Sequence, residues 1–237
     1  MMNHVLLEHY VRLTEFLGRV LGPDYEVALH DLTDKNKSII AIANNHVSGR
    51  EIGAPMTNVG LQIIADKSYQ SSHYRLHYRG VAENGKILRS STLFIQDENG
   101  ELIGLLCINF DGSRYHELSD RLLGLCHPDA FVETNFQFDE VRTREIRAED
   151  MANGELIENL QSTISGVAGG AVSEVLGEMG VAADRLTQEE KTAVVGELNA
   201  RGVFLLKGAV KEVAEALHCS QASVYRYLSK FKKEESN

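Results

Sequence analysis

The side chains best placed to do chemistry lie near the C-terminus. They are short, polar or cationic groups: Ser220, Gln221, Ala222, Ser223, Tyr225, Arg226 and Lys230. Side chains of this kind reach base edges or phosphates from the N-terminal half of a helix in the major groove of DNA. From Ser220 to Lys233 the chain has four basic residues and no acidic one, and a local cationic edge favours phosphate contact. The segment predicts a DNA-contacting surface.

Two short helices must position that surface. Each has one apolar face, and the two faces can bury each other: Val213, Ala214 and Leu217 on the first helix, Val224 and Leu228 on the second. Ser220 is a natural N-cap for the second helix. The turn lies at His218 and Cys219, where such motifs usually need glycine for a left-handed backbone. The alternative is a buried helical hairpin followed by a solvated lysine-rich tail.

The charge distribution separates this end from the rest of the chain. The formal net charge is −10, yet residues 187–237 carry eight Lys or Arg and seven Asp or Glu, whereas residues 1–186 carry sixteen and twenty-seven. An acidic body would stay away from phosphates and orient the basic end toward them. With 237 residues, 43% hydrophobic and 24% charged, the composition is that of an ordinary globular protein, and we expect two domains.

No targeting or membrane-spanning segment is evident from the sequence. No run approaches the roughly 18 apolar residues that a membrane span needs. The cysteines are too widely spaced for a disulfide framework or a metal pair: Cys107, Cys126 and Cys219. We expect a cytoplasmic protein with reduced thiols, no cofactor and no membrane contact.

The N-terminal part predicts a helix followed by an antiparallel sheet. The helix carries apolar residues at helical spacing up to Gly22-Pro23: Val5, Leu6, Tyr10, Leu13, Phe16, Leu17 and Val20. Five β-like runs follow: Tyr25 to Leu32, Ser38 to Ala43, Tyr74 to Tyr78, Ile87 to Gln96 and Leu102 to Phe110. Asn84-Gly85 and Asn99-Gly100 predict hairpins with type I′ turns. Asn58 to Ser68 predicts a helix across one face of the sheet.

A small α+β shell of this kind often encloses a ligand cavity between sheet and helix. The candidate pocket residues are polar side chains amid apolar strands: His30, Asn44, Tyr74, Tyr78 and Asn109. For each residue singly, a satisfied core group or a turn former is the alternative interpretation.

The middle of the chain predicts further helices. One runs from Arg114 to a stop at Pro128, and a polar stretch from Phe131 to Asp150 is the candidate linker. A long helix begins near Glu155 and carries an apolar stripe at steps of three and four: Leu156, Leu160, Ile164, Val167, Ala171, Val175 and Met179. Gly166, Gly169 and Gly170 leave open whether it is one helix or two. Thr187 and Glu190 form a capping box that begins another helix.

Several segments together resemble the YheO/DauR family of bacterial transcriptional regulators. They are GVFLLKGAV (Gly202 to Val210), SQASVYRYL (Ser220 to Leu228), ALHDL (Ala28 to Leu32), the run from Ser38 to Asn58, and YRG (Tyr78 to Gly80). The resemblance implies a PAS-like sensor at 1–128, a linker and connecting or dimerisation helix at 129–180, and a helix-turn-helix domain at 181–237. It implies a homodimer on double-stranded operator DNA.

The predicted function is therefore a DNA-binding transcriptional regulator. In this hypothesis a small molecule or partner settles in the PAS-like fold and alters how two recognition helices fit adjacent major grooves, about 34 Å apart. The first alternative is a PAS-type protein-interaction module without DNA binding.

The second alternative is a metal-dependent enzyme, and the sequence favours it less. His73 and His77 lie in a strand-like run, where a four-residue spacing leaves their side chains too far apart to share an ion easily. Cys126-His127 has no orienting third group, and Gly166 to Gly170 lacks the lysine and preceding strand of a phosphate loop. We expect no catalytic or metal site.

Overall fold

The computed structural model describes residues 2–126 and 157–234, and the side chains of 6–125 and 157–231. Helix α1 spans Met2–Leu21 and ends at Gly22, which has a φ of 91°. Leu7, Leu13 and Leu17 pack against the sheet, whereas Phe16 and Val20 are exposed. The predicted apolar stripe of α1 is thus only partly a packing face. The predicted stop at Pro128 and the candidate linker from Phe131 to Asp150 lie outside the described residues.

A six-stranded sheet forms the body of the N-terminal half. Its strands are β1 (Tyr25–Asp31), β2 (Ile39–Ala43), β3 (Tyr74–Ala82), β4 (Ile87–Gln96), β5 (Leu102–Asp111) and β6 (Ile157–Leu160). Their order across the sheet is β2-β1-β5-β4-β3-β6. The predicted antiparallel meander of β3, β4 and β5 is confirmed.

The sixth strand is the main departure from the sequence prediction. Residues 157–160 were predicted to lie in a long helix, but they form β6, which pairs in parallel with β3. The sheet is therefore mixed and not wholly antiparallel. Ile157 and Leu160 are buried, and so is Glu158 between them. The spacing of Leu156, Leu160 and Ile164 fits a helix, and a strand of four residues is too short to show a strand periodicity that would contradict it. The sequence pattern therefore gave a wrong prediction here.

The two predicted hairpins occur, but their turns are not type I′. Within these two hairpin loops, only the glycines have positive φ, 79° at Gly85 and 80° at Gly100. Gly85 N–H donates to Ala82 O and Gly100 N–H to Asp97 O. The loops are longer than the two residues that a type I′ hairpin requires, so each is built around a tight turn that ends in a left-handed glycine.

Strand periodicity gives the sheet two different faces. On one face, Val27, Leu29 and Leu106 pack against α1. On the opposite face, Leu105 and Phe94 join a core that contains α2 (Asn58–Asp66) and the C-terminal helices. We call this second side the inner face of the sheet.

In the described residues after β6, the chain forms four α-helices. They are α4 (Ile164–Met179), α5 (Gln188–Ala200), α6 (Ala209–Ala216) and α7 (Gln221–Glu234); α3 (Ser113–Cys126) precedes β6. Helix α4 is continuous through Gly166, Gly169 and Gly170, so the segment from Ile164 to Met179 is one helix and not two. Its buried Val167, Ala171 and Val175 pack within the chain, against the core that includes α6.

Caps and charges define the ends of these helices. The predicted capping box is present at the start of α5, where Glu190 N–H donates to Thr187 Oγ1 and Thr187 N–H donates to Glu190 Oε2. Arg201, just after α5, contacts carboxylates on two helices: Glu197 at 2.9 Å, Glu178 at 2.6 Å and Glu174 at 3.5 Å. This cluster ties α5 to α4.

Candidate nucleic-acid interface and buried polar cluster

Helices α6 and α7 form the predicted helix-turn-helix unit. His218 adopts the left-handed conformation expected at the turn, with a φ of 49°. Cys219 N–H donates to Ala214 O at 2.9 Å, which closes the end of α6. Ser223 N–H donates to Ser220 Oγ at 3.1 Å, so Ser220 caps α7 as predicted. The turn therefore fixes the direction in which α7 leaves α6.

The predicted apolar faces meet in the core. Val213, Ala214, Leu217 and Val224 are buried, and Leu228 is half-buried against the same cluster. Tyr227 is also buried, although the sequence did not single it out. Its place one helical turn after Val224 is the signal that could have found it.

Phe231 brings α7 close to α5. A Cβ added at Gly196 of α5 would lie 2.4 Å from the Phe231 ring, so the small residue permits the two helices to approach. Helix α7 is thus held from two sides, by α6 and by α5.

The predicted DNA-contacting residues lie on the free side of α7. All except one are exposed to solvent: Ser220, Gln221, Ala222, Tyr225, Arg226 and Lys230. Ser223 is half-buried, and its hydroxyl lies 3.0 Å from that of Ser220. The Arg226 guanidinium lies 5.5 Å from the centre of the Tyr227 ring. This cation–π contact helps to orient the guanidinium. Contact of these residues with DNA stays a prediction.

Polar side chains form a row on the inner face of the sheet. Glu26, Asn109, Ser90 and Tyr78 are paired in register across β1, β5, β4 and β3. Asn109 donates to Glu26 Oε1 at 2.9 Å and accepts from Ser90 at 2.8 Å. Period-two alternation places all four on one side of the sheet. Glu158 of β6 is paired with Gly80 and extends the row.

The loop between β2 and α2 covers this row. Ser48 Oγ donates to Glu26 Oε2 at 2.6 Å, and Thr57 Oγ1 donates to Glu158 Oε1 at 2.7 Å. Arg50, fully buried in the same loop, donates to the Pro55 carbonyl. We call Glu26, Arg50, Tyr78, Ser90, Asn109 and Glu158 the inner polar cluster.

Burial dominates the acid–base behaviour of these groups. Desolvation raises the pKa of Glu26 and Glu158 and lowers that of Arg50, because each charged form has lost water. It also raises the pKa of Cys107 to about 12 and that of Tyr78 well above its ordinary value. Both groups stay protonated at neutral pH and can donate hydrogen bonds.

The structure brings together three of the five predicted pocket residues. Tyr78 and Asn109 belong to the inner polar cluster, and His30 lies buried on the same face of β1, with Nδ1 2.8 Å from Ser38 Oγ. Asn44 lies elsewhere, where its Nδ2 approaches the carbonyl oxygens of Gly18, Gly22 and Tyr25 at the end of α1. Tyr74 is more than half exposed. Ligand contact by any of the five stays a prediction.

The charged members of the cluster were missed by sequence reasoning. Glu26 and Glu158 lie within strands β1 and β6, and Arg50 lies in an irregular loop. A signal was present at Glu26, which shares a strand face with Ala28 and His30 at period two. The residues that flank Arg50 in the sequence show no periodicity that would predict its burial.

The two halves of the chain contact each other directly. The Asn36 side chain pairs with the backbone of Lys207 through two hydrogen bonds, 2.7 Å to its carbonyl and 2.9 Å from its N–H. Gly202, in the turn after α5, approaches α2 so closely that a Cβ there would lie 2.7 Å from Leu61 O. Helix α2 therefore lies between the inner polar cluster and the C-terminal helices.

Among the described residues, no three His, Cys, Asp or Glu side chains cluster in a way that could hold a metal ion. Within the same part of the chain, every helix is too short or too polar to cross a bilayer.

Comparison with known proteins matches both halves. Residues 1–127 match the model of the YheO-like PAS domain, and residues 170–229 match that of an HTH domain. Protein YheO of Escherichia coli is 28% identical over 228 residues, which cover 96% of this chain and 85% of the relative. Transcriptional regulator DauR of Pseudomonas aeruginosa is 25% identical and is covered over 94% of its length. A Haemophilus influenzae relative is 25% identical over 98% of this chain.

Proposed function

The chain belongs to the YheO-like PAS domain family, and we propose that it is a transcriptional regulator that binds double-stranded operator DNA through α7. The HTH match and the relative named as a transcriptional regulator support DNA binding. We propose that it works in the cytoplasm and catalyses no reaction.

One observation supports the proposal most strongly. The first two turns of α7 point Gln221, Tyr225 and Arg226 into solvent, while the opposite side of the helix is packed against α6 and α5. A recognition helix reads base edges with side chains of its N-terminal half. Arg226 can bind guanine through two hydrogen bonds, and Gln221 can do the same with adenine.

We propose further that the N-terminal half senses a small molecule and modulates operator binding. The inner polar cluster and the C-terminal helices share one helix, α2. Thr57 caps α2 and donates to Glu158, and α2 also contacts the short turn Val203–Leu205. A ligand that changes the position of α2 would change the support of α6 and α7.

We propose that the regulator acts as a homodimer through α3. This helix carries four large apolar residues that are each at least 60% exposed: Tyr115, Leu118, Leu122 and Leu125. Their steps of three, four and three match the seam of a paired helix. A second copy offers the same stripe, and a two-fold dimer presents two recognition helices to a palindromic operator.

The DNA-binding proposal is tested by titrating the full chain against DNA that flanks its own gene, with scrambled DNA of equal length and composition as the control. Fluorescence anisotropy at about 150 mM salt keeps the non-specific electrostatic contribution small. We expect the flanking DNA to bind at least about 1,000-fold tighter than the scrambled DNA. Equal affinity for both would contradict sequence-specific regulation at that locus.

A further inference from the structure

Lys191 connects α5 to the turn that begins α7. It lies near the start of α5, and its side chain is half-buried. Its Nζ atom lies 3.5 Å from the carbonyl oxygen of His218, the residue with the left-handed backbone at the turn. A long side chain of α5 therefore reaches the turn and ends two residues before Ser220, which caps α7.

A second observation places the same charge at the turn. Burial raises the pKa of the Cys219 thiol, and the positive charge of Lys191 acts on this pKa in the opposite direction. Because the interaction between charges weakens with distance, the ammonium group must lie close to Cys219 as well as to His218. Lys191 thus approaches two consecutive residues of the turn.

Contacts within the chain use only part of the capacity of this ammonium group. It has three N–H donors, and the contact with His218 uses one of them at a distance near the upper limit for a hydrogen bond. Among the described residues no carboxylate forms an ion pair with Lys191, whereas the ammonium of Lys211 on α6 lies 3.8 Å from Glu215. The positive charge of Lys191 and two of its donors remain available to an external anion.

The dipoles of the neighbouring helices do not account for this cation. The carboxyl end of a helix attracts a positive charge, and the amino end repels one. The carboxyl end of α6 and the amino end of α7 are separated only by the turn that Lys191 approaches. The two effects therefore oppose each other at the ammonium group.

The position of Lys191 relative to α7 fits a phosphate at the wall of the major groove. His218 precedes Gln221 by three residues, so their Cα atoms are at most about 11 Å apart. The major groove is about 12 Å wide, and the phosphates of the two strands border it. When Gln221 faces a base edge inside the groove, the ammonium group beside His218 lies near one of these borders.

We propose that Lys191 donates to a DNA phosphate and supplies affinity that does not depend on sequence, while α7 supplies the sequence preference. The proposal rests on the DNA binding proposed above and adds a contact from α5, outside the pair formed by α6 and α7. Phosphate contacts fix the register and orientation of a protein on the duplex without reading its sequence. Lys191 in this role holds the beginning of α7 against one DNA strand.

The test measures the salt dependence of DNA binding by the purified full chain. Lys191→Met keeps the apolar part of the side chain and removes its charge. Lys191→Gln is a second variant with the same loss, so that a folding failure of the first leaves the measurement possible. Fluorescence anisotropy titrations use the flanking DNA and its scrambled control from about 50 to 300 mM salt, because each phosphate contact adds about 0.9 to the slope of log affinity against log salt.

We expect loss of the charge to weaken binding to both DNAs by a similar factor, about three- to tenfold at about 150 mM salt, and to lower the slope by about 0.9. Lys191→Arg keeps the charge and should keep the slope of the wild type. Arg19→Gln is the matched control, because it removes one positive charge from exposed α1, which packs on the other face of the sheet from the C-terminal helices.

A slope in the Lys191→Met and Lys191→Gln variants equal to that of Arg19→Gln would overturn the phosphate contact. A loss confined to the flanking DNA, without a change of slope, would also overturn it, because a lysine that only supports the turn alters sequence reading and not the number of released ions. In both cases specific binding by the wild type shows that the proposed DNA regulation stands. Wild-type protein that binds neither DNA would remove the phosphate contact together with the proposed function.

Discussion

Ser220 is the residue that begins the proposed recognition helix. Its hydroxyl accepts from Ser223 N–H, so Ser220→Ala removes an N-cap and should lower the free energy of unfolding by about 1 kcal/mol. Ser229→Ala is the matched control, because Ser229 is exposed within α7 and donates only to Arg226 O. Urea unfolding of both variants measures the difference. Equal stability of the two variants would contradict the capping role.

His30 makes stability depend on pH. Its pKa lies well below the ordinary value because burial, and then the charge of Arg50, disfavour the protonated ring. In the unfolded chain the ring gains a proton below about pH 6.5, so the free energy of unfolding should fall as the pH drops through that value. The raised pKa values of Glu26 and Glu158 have the opposite effect on the free energy of unfolding. Their contribution to this free energy is present at low pH and is lost as the pH rises.

The variant His30→Gln isolates the histidine contribution. We expect the decline in unfolding free energy between about pH 7 and pH 5 to become shallower in the variant, because glutamine binds no proton in the unfolded state. Urea unfolding at a series of pH values measures it. A decline as steep as that of the wild type would show that His30 titrates normally when folded.

At this scale the sequence predicted residues that act through local rules. Ser220 follows capping chemistry and His218 follows turn geometry, and both were found. Arg50 and Glu158 were not, because their burial depends on strands and a loop that meet only in the tertiary fold.

At the scale of elements, the turn after α5 decides how closely the C-terminal helices approach α2. Gly202 has a φ of 74° and faces Leu61 O, whereas Gly208 has a φ of 97° and has open space around its Cβ position. Gly208→Ala should therefore cost only the strain of a left-handed alanine, about 1–2 kcal/mol. Gly202→Ala should cost at least about 1 kcal/mol more, because its methyl group also meets α2.

Thermal unfolding of these two glycine variants measures the contact between the halves. Both glycines have a left-handed backbone, so the comparison removes most of the contribution of backbone strain. A Gly202→Ala variant no less stable than Gly208→Ala would show that the close approach to α2 is absent in solution.

Elements with a clear period were predicted and those without one were not. The strands β4 and β5, the helix α5 with its capping box, and the pair α6 and α7 all follow from local pattern. Strand β6 is four residues long and pairs with β3 across a long sequence separation, so neither periodicity nor a turn signal marks it. The glycines of α4 weaken a helix prediction, yet packing against the core maintains the helix.

At the scale of the whole molecule, the proposed dimer depends on the exposed stripe of α3. Leu122→Lys places a charge in that stripe and should convert the dimer to monomer, because an unpaired buried charge is costly. Ile52→Lys is the matched control, since Ile52 is also large, apolar and about two-thirds exposed but lies in the loop before α2. Native mass spectrometry counts the subunits. A monomeric wild type, or a dimer that survives Leu122→Lys, would contradict the assignment.

The central claim is that exposed side chains of α7 read DNA sequence, and Arg226 tests it most directly. Arg226→Ala should weaken binding to the preferred DNA by about 1–3 kcal/mol and relax the preference at one base position. Arg19→Ala removes the same charge from the exposed surface of α1 and should leave affinity nearly unchanged. Anisotropy titration of both variants against preferred and scrambled DNA decides the matter. Loss of specific affinity in Arg226→Ala alone is the predicted result, and equal affinity in the two variants would contradict it.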